Sequence, residues 1–383
     1  MPRLIFSGDV LSTASRGQFV SASLCEQIRN ADFSICNLEA PLISGSDAIV
    51  PAPKAGPSIS QPPQVASLLV DAGFKAVSLA NNHMFDFGVA GYHSTVEACQ
   101  KAGLTSFGAG TYDIARAPMS IDLDGLRISF IACGEAQFGA HMEFDPYTYG
   151  YPWINDPDFE SHIAKSKSEC DFLFLLPHAG LEDYPVPLSE WRSRYKSLCR
   201  AGADAIIASH PHVPQGYEYF DGKIIAYSLG NFFFDYGAYK TSENASFSIA
   251  INISRDRTIS ASTICHKVDF SDMKVIGPLA EGDGVDVEHL SRLLASPKYD
   301  HVLSQVIESA FENEIRPLFR AAHGLPSKGS SLSTKIRCLL RCFIKPNQSS
   351  LGQDLLLLHM IRNESYRWAL ETAFKQKNSY LIR

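Results

Sequence analysis

Asp9, Asn37, Glu39, Asn81, Asn82, His83, Asp86, His178, His210 and His212 offer carboxylate, amide and imidazole groups at or just beyond the ends of apolar runs of strand length. Leu4–Phe6 leads to Gly8-Asp9, and Phe33–Asn37 leads to Leu38-Glu39. Ala76–Leu79 leads to Asn81-Asn82-His83, with Asp86 three residues further on. Phe172–Leu176 leads to Pro177-His178, and Ala205–Ala208 leads to Ser209-His210-Pro211-His212. A lone Gly-Asp after a strand is usually a turn, and a lone histidine is usually a satisfied core residue. Five such endings are another matter, because open α/β sheets place ligand sites outside the carboxyl ends of their strands. His210 and His212 also alternate, so an extended chain presents both on one face. Oxygen and imidazole donors without a thiolate suit Mn²⁺, Fe or Zn²⁺. A divalent-ion site is the chemistry this set supports.

The elements that must position these residues are legible too. Further strands are expected at Thr105–Phe107, Arg127–Ala132 and Ile224–Ser228. Helices are expected over Pro63–Ala72, Val89–Ala102 and Leu188–Ala201, each followed by a glycine, at 73, 103 and 202. Strand–helix alternation of this kind indicates an α/β fold. Ser246–Ile253 and Thr258–Ile264 alternate polar and apolar residues around a polar turn, which predicts an antiparallel hairpin. The chain is expected to divide into a catalytic domain over 1–268, a Gly-, Asp- and Pro-rich linker over 269–287 and a helical extension over 288–383. The extension is read as helices over Glu288–Ala295, His301–Leu318 and Gln353–Lys375.

Composition removes several classes. The chain has 383 residues, 45% hydrophobic and 20% charged, which excludes wholesale disorder. A net charge of −7 speaks against nucleic acid as a partner. Nine cysteines without a CxxC pair read as reduced core residues of a cytoplasmic protein. Met1-Pro2-Arg3 runs directly into the first strand, so no signal segment is expected, and no apolar run approaches membrane-spanning length. No GxSxG elbow or phosphate loop occurs, and Gly108-Ala109-Gly110 lacks the third glycine of a dinucleotide fingerprint. His93, His141, His162, His266, His289, His301, His323 and His359 follow no strand in this way and read as structural or surface residues.

Gly8-Asp9, Asn37-Leu38-Glu39, Asn81-Asn82-His83, His178-Ala179-Gly180, His210-Pro211-His212-Val213 and Tyr227-Ser228-Leu229-Gly230-Asn231-Phe232 occur in that order. Together they resemble the CapA family of capsule and poly-γ-glutamate synthesis proteins, within the calcineurin-like metallophosphoesterase superfamily. The resemblance covers about residues 3–265. It implies a four-layer α/β/β/α sandwich of the metallo-dependent phosphatase type, followed here by a helical extension. It also implies one or two divalent ions. Asp9 would bind the first and Glu39 would bridge. Asn82 and His178 would bind the second, and His210 and His212 would serve both. His83 would be the acid or polarising group, oriented by Asp86. Asn81, Glu182 and Asn231 would meet the substrate. Leu11 stands where the superfamily usually has a histidine ligand, which leaves the number of ions open. Ala179 replaces a frequent tryptophan, while Glu182, Asp183 and Tyr184 keep the family's acidic and aromatic character.

Two functions follow from this reading. One is a metal-dependent hydrolase of a phosphoester or a γ-glutamyl amide. The other is an accessory protein that binds an anionic polymer without turning it over. Lys335, Arg337, Arg341 and Lys345 around Ile336, Leu339, Leu340 and Phe343 form a basic amphipathic stretch. It reads as an ordinary helix, or as a contact with an anionic membrane surface.

Overall fold

The apolar runs become strands where their β-branched and aromatic content places them. In the computed structural model, β1 (Arg3–Leu11), β2 (Phe33–Leu38), β3 (Ala76–Ser78) and β4 (Thr105–Phe107) lie side by side and parallel. Every residue is described except 15, 46–47, 143–144, 146, 238–244, 255, 257, 327–349 and 378–383. Helices Ala22–Arg29, Gln64–Ala72 and Gly88–Ala102 make the crossovers. The last two end on Gly73 and Gly103 in left-handed conformation, the stop that glycine supplies most readily.

The chain continues through β5 (Gly110–Thr111), β6 (Met119–Leu123), β7 (Leu126–Gly134), β8 (Ala140–His141) and β9 (Tyr149–Pro152). Then come β10 (Phe172–His178), β11 (Ala205–Ile207), β12 (Pro214–Phe220) and β13 (Lys223–Leu229). The last strands are β14 (Asn231–Phe234), β15 (Ala245–Ile253), β16 (Ile259–Asp269) and β17 (Lys274–Ile276). One sheet runs β17-β16-β15-β1-β2-β3-β4, with β14 also paired to β1, and a second runs β12-β13-β11-β10-β7-β6. The hairpin forms as expected, with Ile253 opposite Ile259.

The faces of β10 show how the sheets stack. Phe172, Phe174 and Leu176 belong to the core shared with the first sheet, where Phe174 stacks on Phe6 at 5.5 Å. Leu173 and Leu175 face the other way, toward Trp191, Tyr195 and Leu198 of helix Ser189–Ala201. The result is the expected α/β/β/α sandwich. Burial of each such Phe or Leu stabilises it by about 1.5–3 kcal/mol.

The C-terminal part differs in detail from its expectation. The stretch 269–287 is not all linker, because β17 pairs with β16 and Val275 is buried, its N–H donating to Phe19 O at 2.7 Å. Helix Val287–Ala295 packs on β12, where Ser291 accepts from Tyr217 N at 3.0 Å. The helix expected from His301 begins at Lys298 and passes through a π-helical turn, Phe311–Ile315, into Arg316–Ala322. The last expected helix is two, Leu351–Arg362 and Glu364–Lys377. Asn363 divides them because its side chain accepts from Tyr366 N at 2.8 Å and so caps the second. The basic stretch at 335–345 lies outside the described residues. Among those described, no helix is long and apolar enough to cross a membrane.

Candidate metal centre

Strand register brings the polar residues together. Asp9 is opposite Asn37 on one side and Asn231 on the other. The pairing shifts by one residue between Ser7 and Asp9, a bulge that re-aims the strand end. Glycine is required there: a Cβ on Gly8 would lie 1.8 Å from Gly230 O. In the second sheet, His178 pairs with Gly134 and bridges to Ser209. His210 and His212 both hold positive φ, 102° and 61°, a strained conformation for residues with side chains and one that concentrates at functional sites.

Four donor atoms converge. His178 Nε2 lies 3.0 Å from His210 Nδ1, 3.1 Å from Asn82 Oδ1 and 3.4 Å from Glu39 Oε1. Ligand atoms of Glu39, His178 and His210 all fall within 4.8 Å of one another, and all three residues are buried. Glu39 Oε1 has no hydrogen-bond partner among the described residues. Metal–ligand bonds of about 2.0–2.1 Å in tetrahedral array set ligand atoms about 3.3 Å apart, close to the three distances from His178 Nε2. An ion bound there would satisfy the orphaned oxygen.

The other ring nitrogens prepare these donors. His178 Nδ1 is 3.2 Å from Ser209 Oγ, and His210 Nε2 is 3.2 Å from Glu135 Oε1. A proton held on those outer nitrogens leaves the inner lone pairs free for an ion, and the carboxylate raises the basicity of His210. Glu135 is itself held by Gln137 at 2.6 Å and by Ser365, whose hydroxyl donates at 2.7 Å. Trp191 Nε1 donates to Ser365 Oγ at 2.9 Å. Neighbouring Glu364 accepts from Ala136 N, Trp153 and Asn155 at 2.9–3.0 Å.

Burial pushes the carboxyl pKa values of Asp9 and Glu39 up, with Glu39 adding to the effect on Asp9 and the histidines opposing both. Burial, then the charge of His210, holds His178 well below the usual imidazole range. For His210 burial also lowers the value, but the hydrogen bond to Glu135 and the carboxylates of Glu182, Glu135 and Glu39 win, raising it to about 9.

Asp9 and His212 stand beside this cluster, with Asp9 Oδ2 3.6 Å from His212 Nδ1. Asn37 joins the two sides by donating to Asp9 at 2.8 Å and to Glu39. Leu11 turns into a small apolar cluster with Ala40, Ile59 and Phe234, so position 11 offers this side nothing. His83 lies in the adjoining loop, its Nδ1 2.8 Å from Asp86 Oδ2. Asp86 is buried, accepts from Ile59 N at 2.8 Å and pairs with Lys54. Burial lowers the Lys54 pKa, and Asp86 opposes that shift.

The three residues expected to meet a substrate are placed differently. Asn81 is fully buried and spends its amide on Asn37, Leu38 O and His83 N, so it braces the loop that carries His83. Asn231 is buried with its Oδ1 3.0 Å from His212 Nδ1, while its Nδ2 has no hydrogen-bond partner among the described residues. Glu182 remains at the mouth, its side chain 35% exposed and 3.7 Å from His210 Nε2. The sequence reading gave Asn37 no role of its own and passed over Lys54, Glu135 and Ser365. Asn37 stood inside a quoted motif, and Glu135 follows a strand end two residues beyond the expected one. Lys54 and Ser365 left no signal of that kind.

Comparison with known proteins agrees with the motifs. Residues 3–236 match the family described as bacterial capsule synthesis protein PGA_cap. The capsule biosynthesis protein CapA of Bacillus anthracis is 28% identical over 232 residues, covering 59% of this chain and 56% of that protein. The PGA biosynthesis protein CapA of Bacillus subtilis is 32% identical over 181 residues, covering 46% of this chain and 47% of that protein. The chain thus spans about half the length of the curated relatives it matches. Among solved structures, the Haemophilus influenzae NAD nucleotidase aligns at a TM-score of 0.40 and 11% identity, covering 85% of this chain and 62% of that one. With the family's pattern matched across most of both sheets, the chain belongs to the bacterial capsule synthesis protein family PGA_cap.

Proposed function

We propose that this chain is a metal-dependent hydrolase of a phosphoester or γ-glutamyl amide bond, working in capsule or poly-γ-glutamate metabolism. The observation that carries the reading is the convergence of His178 Nε2, His210 Nδ1, Asn82 Oδ1 and Glu39 Oε1 beside a His83–Asp86 pair. Those four residues would hold the ion, Mn²⁺, Fe or Zn²⁺. A divalent cation there supplies Lewis acidity toward a phosphoryl or carbonyl oxygen and acidifies water. Asp86 fixes one proton of His83 at Nδ1, so a second proton, carried at Nε2, is the one this ring can deliver to a leaving group. Asn37, between Asp9 and Glu39, keeps two buried carboxylates in place beside the ion.

The test is turnover by protein loaded in turn with each ion, on a panel of phosphoesters and γ-glutamyl peptides. Stoichiometric metal with no hydrolysis of any of them sinks the reading. The alternative, an accessory protein that binds an anionic polymer, draws support from Leu11, which leaves the Asp9–His212 side short of donors. Saturable polymer binding at full metal occupancy, without cleavage, is its signature.

A further inference from the structure

A cavity of about 80 Å³ opens where helix Leu351–Arg362 passes the mouth of the centre. Its lining includes Lys54, Gln137, Phe138, Leu355, His359 and Arg362. Two of these also touch the centre: Gln137 Nε2 is 3.0 Å from His210 Nε2, and Lys54 Nζ is 3.3 Å from His83 Nδ1. A group in this cavity is therefore adjacent to both the metal cluster and the proposed acid.

The lining has a definite chemistry. Phe138 and Leu355 are apolar members of the lining, and Lys54, His359 and Arg362 are its nitrogen-bearing members. Lys54 lies 5.7 Å from the centre of the Phe138 ring, so the ring and the cation adjoin. An ammonium has three N–H groups; Asp86 takes one, and His83 Nδ1, whose proton faces Asp86, takes none. Arg362 is exposed and has no ion-pair partner among the described residues, so its guanidinium is open to an outside anion. The nearby acid Glu135 is engaged by Ser365, Gln137 and His210. Glu182 lies toward His210, and its charge also reaches Lys54 and His359.

We propose that this cavity is a subsite for an anionic group of the substrate, a carboxylate or phosphate on a short aliphatic arm, clamped between Lys54 and Arg362. The volume admits a group of at least roughly five heavy atoms, enough for a phosphate or for a carboxylate with its first methylenes. The metal ion would then act on one part of the substrate while the C-terminal helix selects another. The subsite rests on the hydrolytic reading only for the bond that reacts, because binding of the anion needs no turnover.

The experiment is calorimetric titration of the full, metal-free chain with glutarate and with inorganic phosphate. One saturable site is expected. Arg362→Ala should weaken it about tenfold, in line with loss of one charge-assisted hydrogen bond, and Arg362→Glu should abolish it. Arg316→Ala, an exposed position outside the cavity, should leave it unchanged. The stronger of the two anions identifies the group recognised. Thermal melts that match wild type separate loss of binding from loss of fold. No saturable binding of either anion, or equal binding by Arg362→Ala, overturns the subsite. Binding that is lost in Arg362→Ala, in a protein that hydrolyses nothing, would keep the subsite and discard the hydrolase.

Discussion

The hydroxyl of Ser365 donates to the carboxylate of Glu135 at 2.7 Å, across 230 residues of sequence. Glu135 in turn faces His210 Nε2 at 3.2 Å, so a C-terminal helix sets the posture of a proposed metal ligand.

That contact should be visible in cation affinity. Glu135→Gln should weaken Mn²⁺ binding by about 10–100-fold in calorimetric titration, the usual effect of losing a carboxylate behind a histidine ligand. Ser365→Ala should weaken it less, since Gln137 still holds Glu135. Unchanged affinity in both variants would show that the helix merely packs there.

Cation binding should release protons. With a pKa raised to about 9, His210 is cationic at neutral pH in the ion-free protein. Nδ1 must lose its proton before it can bind an ion, while Nε2–H stays with Glu135. Titration at neutral pH in buffers of different ionisation enthalpy should report about one proton released per ion. The number should fall as pH rises through about 9.

His83→Ala should lower kcat by about 10²–10⁴-fold, the range for loss of a general acid. Metal content should not change, because His83 is not among the converging donors. Asp86→Asn should fall between this variant and wild type, since the ring remains but loses its charged anchor. Metal loss in His83→Ala, measured by elemental analysis, would move His83 into the ligand set instead.

His266 predicts an acid weakness remote from the site. It is fully buried against Phe232, and burial lowers its pKa from 6.5 to about 3. The unfolded chain therefore binds the proton more readily, so stability is complete above 6.5 and declines as pH falls toward 3. The slope is about 1.4 kcal/mol per pH unit. Urea unfolding of His266→Leu should lose about 2 kcal/mol less than wild type between pH 6.5 and about 5. Equal losses would refute the assignment.

Gly8→Ala should destabilise the fold by about 3 kcal/mol or more, because its Cβ would lie 1.8 Å from Gly230 O, a backbone atom that cannot move aside cheaply. Thermal or urea denaturation measures it, and a near-neutral result would mean that β1 and the 229–230 turn can separate.

Much of this architecture was legible because strand ends leave local marks. An apolar run followed by a histidine or carboxylate needs no knowledge of the partner strand, so Asp9, Glu39, His178 and His210 emerged from sequence alone. Glu135 escaped because β7 runs on to Gly134, two residues beyond the apolar stretch that announced it. Lys54 lies in a proline-rich loop with no periodicity, and its place is set by tertiary contact with Asp86. Ser365 read as helix interior, because nothing near it in sequence betrays that Asn363 restarts the helix. Asn81 and Asn231 were brought near the site by their motifs, but which way each amide faces is set by tertiary contacts with Asn37 and His212.

The tie between Ser365 and Glu135 also bears on biosynthesis. Domains condense as they leave the ribosome, N-terminal parts first. The strands that carry Asp9, Glu39, His178 and His210 can be in place while Glu135 still lacks its C-terminal donor. Full cation affinity then arrives only after residue 365 has emerged and its helix has docked, so a nascent chain would hold its ion more weakly until that point.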